Sequence, residues 1–207
     1  MGRRVCCVTS IKVKVDNFVR AETRRRMAGL QRDAGGINRF EHNRAPASVD
    51  KQTVIRMNRD TLYSFAVVDV SAGATLMIPD AGDRYLSVMV VNEDHYINRV
   101  LHGEGRYDLT DDDVGSPYAV VAARTLVDPQ DPADLASVAA IQDQLLLSAA
   151  ADRPFVLPDY DTESLDRTRK ALLTLASDMT SFESTFGRKE DVDPVHHLVG
   201  TAAGWGG

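Results

Sequence analysis

Alternation of apolar and polar residues dominates the middle of the chain and predicts β-strands. Apolar runs with a period of two begin after about Lys51 and continue to Leu126, and short turn sequences such as PDAGD separate them. Connections this short favour an antiparallel meander, because parallel neighbours need a long crossover. The expected strands cover residues 53–57, 62–70, 75–78, 85–91, 96–101, 106–109 and 118–126.

A helical period flanks this region on both sides. Residues 16–33 are predicted to form a helix that Asp16 caps and that Gly35 and Gly36 end. Two further amphipathic helices are predicted after Asp128, and the sheet is the surface on which they can bury their apolar faces. The apolar faces consist of Phe18, Val19, Met27 and Leu30, then Leu135, Val138, Leu145 and Ala149, and last Leu165, Leu172, Ala176 and Met179.

The predicted fold class is therefore α+β, with an N-terminal helix, an antiparallel sheet and a C-terminal pair of helices. Residues 13–190 are expected to form one domain. Residues 1–12 are interpreted as a ragged leader or a first strand, because Lys12 and Lys14 interrupt the apolar segment that a secretion signal needs. We expect a cytoplasmic protein, with the cell envelope or periplasm as the alternative.

Composition and charge exclude several classes of function. The 207 residues carry a formal net charge of -6, so no basic field attracts nucleic acid. No segment approaches the roughly 18 apolar residues of a membrane helix, and no membrane insertion is expected. Cys6 and Cys7 are the only cysteines, which excludes a disulfide framework or a structural zinc site built on cysteines within the chain.

The common catalytic and metal-binding motifs are absent. The chain contains no G-x-S-x-G, P-loop, complete G-x-G-x-x-G or H-E-x-x-H sequence. GEGRYD at residues 103–108 predicts a hairpin turn, and Thr110 with Asp113 predicts a capping box for the acidic run 111–113. His95 and His102 are separated by an odd number of residues and are expected on opposite faces of one strand. No metal and no cofactor is expected.

Two polar stretches interrupt the apolar pattern and supply the candidate site residues. The stretch 58–61, NRDT, is interpreted as a corner whose Asn and Asp side chains bond the backbone. The stretch 92–102, NEDHYINRVLH, is either a solvated loop or the rim of a pocket. If both stretches line one pocket, the catalytic candidates are Asp60, Asp94, His95 and Tyr96, with His95 as general base, and the ligand-binding candidates are Asn58, Arg59, Tyr63 and Asn98.

Three segments in order closely resemble the bacterial family called domain of unknown function 1254. They are QTVIRMNRDTLYSFAVVDVSAG, LMIPDAGDRYLSVMVVNEDHY and VAARTLVDPQDPADLASVAAIQD, and the resemblance covers most of the chain from about Val13. It implies a jelly-roll-like antiparallel sandwich with accessory helices, and it supplies no catalytic residue. It also implies an aromatic-bearing face on the first helix, where this chain has three arginines at residues 24–26.

The last residues, HHLVGTAAGWGG, resemble the junction to a second β-rich domain, of unknown function 1214. The resemblance implies that residues 191–207 lead into a missing domain, as in a truncated or split version. We therefore expect a ligand-binding or structural assembly module whose partners are a small-molecule ligand and either a C-terminal β domain or further copies of the chain. The alternative is an esterase-type hydrolase.

Overall fold

The computed structural model describes residues 10–46 and 59–205. The predicted strand at 53–57, the candidate Asn58, both cysteines and most of the leader lie outside the described residues. The α+β class is confirmed. The elements are α1 (Val15–Asp33), β1 (Glu41–His42), β2 (Thr61–Asp69), β3 (Ala74–Ile78), β4 (Leu86–Asn92), β5 (Ile97–His102), β6 (Gly105–Leu109), α2 (Asp111–Val114), β7 (Tyr118–Leu126), α3 (Pro132–Gln142), β8 (Leu146–Ala149), α4 (Thr162–Ala176) and α5 (Pro194–Ala203).

Two antiparallel sheets pack face to face. The large sheet has the order β1-β2-β7-β4-β5, and the small sheet has the order β6-β3-β8. Side chains of both sheets, including Val68, Leu76 and Val121, form the main core. The antiparallel pairing is confirmed, but the predicted meander is wrong, because β7 lies between β2 and β4. Most of β7 is buried on both faces, and such a strand is stable only at the centre of a sheet.

The glycines at residues 103 and 105 turn the chain from one sheet to the other. β5 pairs with β4 in the large sheet, whereas β6 pairs with β3 in the small one. Gly103 and Gly105 have φ angles of 85° and 142°, which side chains disfavour. The turn is confirmed, but the predicted hairpin is wrong, because the two strands pair in different sheets and not with each other.

Helix α1 begins one residue earlier than predicted, and Asp16 is not its cap. Lys14 is the N-cap residue, and its backbone N–H donates to Asn17 Oδ1 at 2.8 Å. Asn17 thus satisfies the backbone N–H of the N-cap residue, the bond that the third helical residue makes in a capping box. The predicted end is confirmed, since the Gly35 and Gly36 N–H groups donate to carbonyls of the last turn.

The second predicted helix ends earlier than expected. Helix α3 stops at Gln142, and Leu146–Ala149 forms strand β8, in which Leu147 pairs with Leu76 of β3. A short and mostly apolar run such as 145–149 fits either a helix or a strand, and pairing with the edge of the small sheet decides the outcome here. Thr110 is the N-cap of α2 as predicted, because its Oγ1 accepts from the Asp113 N–H at 3.2 Å, but the Asp113 carboxylate accepts from the Thr110 hydroxyl and not from the backbone N–H of a full capping box.

A helical layer covers part of the large sheet. α1, α4 and α5 pack together through Phe18, Leu165 and Val199, and α1 lies on the sheet through Met27. The segment predicted as a junction, 191–207, contains α5, whose inner side chains are buried in this layer.

Among residues 10–46 and 59–205, no helix has both the length and the apolar character to cross a bilayer.

Asp69, at the end of β2, couples stability to pH. Its carboxylate is fully buried and accepts from Arg153 Nε at 3.0 Å and from the Ser71 N–H at 3.1 Å. Burial alone raises the pKa of Asp69, but the hydrogen bonds from Arg153 and Ser71 outweigh it and hold the pKa at about 2, below the ordinary 3.8. A carboxyl whose pKa is lower in the folded state stabilises the fold at pH values above its pKa in the unfolded chain. That stabilisation is lost as the pH falls through its pKa in the folded state.

We expect the parent protein to lose about 2 kcal/mol of unfolding free energy through this group between pH 4 and pH 2. Asp69→Asn should lack that component, and urea titrations at a series of pH values measure it. Asp83→Asn, at an exposed position in the β3–β4 connection, is the control and should follow the parent. An identical acid dependence in Asp69→Asn and the parent would contradict this assignment.

Candidate functional site

The predicted site residues divide into two groups at opposite ends of the large sheet. Thr61 pairs with Leu126 at one end of β7, and Asn92 pairs with Ala119 near the other end. Seven residue steps along an antiparallel strand span about 23 Å. Arg59, Asp60 and Tyr63 therefore share no concavity with residues 92–96, and the catalytic candidates Asp60, Asp94, His95 and Tyr96 do not line the single pocket considered from the sequence.

The turn between β4 and β5, residues 92–96, is organised by its first residue. Asn92 Oδ1 accepts from the backbone N–H groups of Asp94 and Tyr96 at 3.0 and 2.9 Å. Asn92 Nδ2 donates to the Val114 carbonyl at 3.1 Å. His95 has a positive φ of 63°, a conformation that non-glycine residues rarely adopt. We call residues 92–96 the anchor turn, because two helices attach to it.

Helix α1 attaches to the anchor turn through its arginines. Arg24 Nε donates to Glu93 Oε2 at 2.6 Å, and the Glu93 side chain is only 3% exposed. Arg20 binds both carboxylate oxygens of Asp94. Arg24 thus belongs to an ion pair at the position where the family resemblance implies an aromatic face. These contacts assign Asp94 to packing of the helical layer.

Helix α5 attaches to the same turn through His95. The ring is 1% exposed, and its Nδ1 lies 2.9 Å from Thr201 Oγ1. That hydroxyl donates to the His197 carbonyl at 2.8 Å, so it accepts from the His95 ring. Burial, and secondly the charge of His197, lower the pKa of His95 to about 3. His95 is therefore neutral and shielded from solvent, which does not suit a general base.

His197 and Tyr96 complete the attachment. The His197 ring nitrogens lie 3.0 Å from the carbonyl oxygens of Thr185 and Asp94. The Tyr96 ring stacks on His197 with centroids 4.7 Å apart. The anchor turn thus has a structural role in which Tyr96 takes part.

Asn98 lies on a bulge next to the anchor turn. Val90 pairs with Arg99 and Val91 pairs with Ile97, which leaves Asn98 as the extra residue of β5. Its Nδ2 donates to the Asp113 carbonyl at 3.3 Å. This contact joins β5 to the short helix α2.

The first group of candidates lies at the other end of the sheet. Arg59 and Asp60 are exposed, and the Asp60 carbonyl accepts from the Val127 N–H at 2.8 Å. Tyr63 follows on β2. Because Ala66 and Val68 face the small sheet, Tyr63 lies on the opposite, helix-side face of the large sheet.

Four polar side chains cross this helix-side face in one line, which we call the polar row. Tyr63 of β2 pairs with Arg124 of β7, Arg124 pairs with Ser87 of β4, and Ser87 pairs with His102 of β5. Neighbouring strands lie about 4.8 Å apart, so the row spans about 14 Å. Four adjacent strands thus bring together a phenol, a guanidinium, a hydroxyl and an imidazole.

Aromatic rings organise the polar row. The Arg124 guanidinium carbon lies 5.4 Å from the centroid of the Tyr63 ring, and the Tyr63 and Phe65 rings stack with centroids 5.6 Å apart. The Tyr85 hydroxyl donates to Ser87 Oγ at 2.9 Å. The Tyr85 ring also lies 6.2 Å from the ring of His102.

Among the described residues, the polar row lies on the half of the face that the helical layer does not cover. α1 and Phe155 cover the other half through Val67, Val91 and Val120. Around the row, Tyr85, Leu126 and Val100 are 48%, 43% and 50% exposed. We call this region the open half of the large sheet. It combines polar groups with accessible apolar surface, as ligand sites do.

Two concavities elsewhere in the described residues contain none of the predicted site residues. One of about 470 Å³ lies at the end of the small sheet, where Thr75 Oγ1 donates to Asp108 at 3.0 Å, and one of about 460 Å³ lies beside the end of α1. Within the described ranges, no three His, Cys, Asp or Glu side chains form a group that could hold a metal. His95 precedes β5 and His102 ends it, so the two histidines do not share one strand as expected.

The sequence contained a signal for the missed residues of the polar row. Ser87 and Arg124 are single polar residues within the apolar runs YLSVMVV and YAVVAARTL. A polar residue inside a buried strand requires a partner or a function. The strand order, which is not sequential, decides that these two positions lie side by side.

Comparisons with known proteins give a family and a fold. The family described as protein of unknown function (DUF1254) matches residues 37–149. The crystal structure of the VPA0106 protein from Vibrio parahaemolyticus is similar, with a TM-score of 0.65 and 14% identity over 93% of this chain and 68% of that chain. At this identity the likeness shows the fold alone. No curated protein matches the chain significantly.

Proposed function

The chain belongs to the DUF1254 family of proteins of unknown function, and we propose that it is a ligand-binding module whose site is the open half of the large sheet. The observation that carries the proposal is the polar row, in which Tyr63, Arg124, Ser87 and His102 come from four adjacent strands. The anchor turn, by contrast, is explained by its contacts with α1 and α5.

The position of the row supports binding rather than simple solvation. Ser87 is only 3% exposed, although it lies next to the exposed Tyr85. The buried Ser87 hydroxyl and the Arg124 guanidinium over the Tyr63 ring are held in fixed geometry. Ligand binding therefore costs less side-chain conformational entropy. Strands also position side chains more rigidly than loops do. The row therefore has the rigidity of a preformed site.

Thermal unfolding in the presence of a panel of organic acids, amides, sugars and nucleosides tests the proposal. A ligand at about 100 times its Kd stabilises the folded state by about 2.7 kcal/mol, which corresponds to a rise in Tm of about 5–10 °C at this chain length. We expect at least one class of compound to produce this rise with the parent. We expect the rise to disappear in Arg124→Gln and in Tyr63→Leu.

Arg99→Gln is the matched control, because Arg99 lies on the same sheet but pairs with Val90, which belongs to the core between the sheets. Its Tm response should equal that of the parent. A panel without any stabilising compound would contradict the proposal. A stabilisation that survives in both Arg124→Gln and Tyr63→Leu would place the site elsewhere.

A further inference from the structure

The surface between α1 and α4 carries a group of arginines that the proposed function does not use, and we infer that it binds a phosphate group. Arg25 and Arg26 of α1 and Arg169 of α4 approach the carboxylate of Glu22. We call these four residues the arginine cluster. The cluster lies in the helical layer and not on the sheet, so the inference does not depend on a ligand in the open half.

The carboxylate of Glu22 is satisfied by two of the three arginines. Glu22 is fully buried, its Oε2 accepts from Arg25 Nη2, and its Oε1 accepts from Arg26 Nε at 3.2 Å. A buried carboxylate requires hydrogen-bonded counter-charges, and these two guanidinium groups supply them. Arg169 adds no hydrogen bond to Glu22, because its Nε lies 3.6 Å from Oε1, beyond hydrogen-bond distance.

Arg169 therefore brings a positive charge that the cluster does not neutralise. Its Nε is buried and has no hydrogen-bond partner among the described residues. The second carboxylate at this surface is that of Asp166, which accepts from Arg25 Nη1 at 2.6 Å. Three guanidinium groups thus face two carboxylates, and like charges so close together repel each other. A bound anion offsets this repulsion, and unsatisfied buried donors occur where an ion or a water molecule belongs.

The two arginines with open forks are neighbours. Arg26 and Arg169 both direct Nε at the same oxygen, Glu22 Oε1, and this buried group fixes their positions. Within residues 10–46 and 59–205, the terminal nitrogens of Arg26 and Arg169 have no hydrogen-bond partner. The two side chains are 46% and 31% exposed, so an anion has access to them from solvent.

Two neighbouring guanidinium groups favour a phosphate over a carboxylate. A carboxylate has two oxygens and is matched by the planar fork of a single arginine. A phosphate ester presents three strong acceptor oxygens and more than one negative charge, and clusters of arginines recognise it. The arginine cluster supplies forks from two helices, one from α1 and one from α4, and so can bind different oxygens of one phosphate.

Isothermal titration with inorganic phosphate and with acetate, at one ionic strength, tests the inference. Hydrogen bonds to a charged group correspond to about a tenfold to hundredfold gain in affinity, so we expect phosphate to bind the parent at least about tenfold more tightly than acetate. Arg26→Gln and Arg169→Gln should each weaken phosphate binding about tenfold or more. Arg20→Gln is the matched control, because Arg20 is 43% exposed on the same helix but its fork is occupied by Asp94. Its phosphate affinity should equal that of the parent.

Three results would overturn the inference: no saturable binding of phosphate, equal phosphate affinity in Arg26→Gln and the parent, or acetate binding as tightly as phosphate. An equal loss in Arg20→Gln and Arg26→Gln would reduce the effect to net charge and overturn it too. The melting temperature without ligand shows whether each variant is folded, and the half-exposed Arg26 decides if Arg169→Gln does not fold. Arg124→Gln should bind phosphate like the parent, which separates this site from the open half.

Two further probes distinguish the sources of the phosphate group. Glycerol phosphate represents a soluble ester, and vesicles of phosphatidic acid in phosphatidylcholine represent a lipid headgroup. Tighter binding of glycerol phosphate than of inorganic phosphate, weakened by Arg26→Gln, supports the site and assigns a soluble ester. Retention of the parent but not of Arg26→Gln on these vesicles supports the site and assigns a headgroup. Binding of either probe that is unchanged in Arg26→Gln would contradict the site.

Discussion

Replacing Arg24 by methionine is expected to lower the free energy of unfolding by about 3–5 kcal/mol. The Glu93 carboxylate is 3% exposed and takes a hydrogen bond of 2.6 Å from Arg24 Nε. Without the guanidinium, a charge is left buried and unpaired in the anchor turn. Methionine keeps the apolar part of the side chain, so the decrease in unfolding free energy comes chiefly from the lost ion pair.

The neighbouring ion pair is a matched control for this prediction. Arg20 and Asp94 join the same helix to the same turn, but their side chains are 43% and 34% exposed. Solvent screens such a pair, and Arg20→Met should cost about 1 kcal/mol or less. Adding Glu93→Gln to Arg24→Met should restore part of the loss. Urea denaturation measures all four proteins, and equal losses for Arg24→Met and Arg20→Met would contradict a buried charge at Glu93.

Gly200→Ala is expected to destabilise the fold by about 3 kcal/mol, although alanine favours helices elsewhere. Gly200 lies in α5 against the segment that precedes this helix. A Cβ atom there would lie 2.0 Å from Thr185 Cγ2 and 3.3 Å from Phe186 Cζ. Thr185 is fully buried, so the methyl group has no space to move without displacing backbone.

Two further variants isolate this steric contact. A Cβ atom on Gly204 would meet Phe186 Cζ at an ordinary 3.7 Å, so Gly204→Ala should change stability by less than about 0.5 kcal/mol. Thr185→Ser removes the clashing methyl and should make Gly200→Ala less costly, which a double-mutant cycle measures. Additive losses for Thr185→Ser and Gly200→Ala would show that the contact does not limit the packing of α5.

Local sequence pattern was sufficient for the elements whose partners are close in the chain. The strands around Leu62, Val88 and Val121 appear within one residue of their predicted ends. Thr110 caps α2 as expected, because an N-cap bond involves only four consecutive residues. The run 145–149 is too short to separate a helical from a strand period, and only pairing with the edge of the small sheet decides between them.

The candidate site was less predictable, because contacts between distant parts of the chain determine it. The polar stretch after Val91 resembles a pocket rim in sequence. Its partners are Arg20, 74 residues before Asp94, and Thr201, 106 residues after His95. In the same way, Arg124 and Ser87 become neighbours only through a strand order that connections alone do not determine. Tyr63 is the predicted residue that lies in the polar row.

A two-dimensional 1H–15N NMR titration with the compound that stabilises the parent most tests the central claim directly. If the open half of the large sheet is the binding site, the largest amide shift changes fall on the strands that carry Tyr63, Ser87, His102 and Arg124, and they disappear in Arg124→Gln. Changes confined to the anchor turn, or to the concavity around Thr75 and Ser148, would contradict the claim.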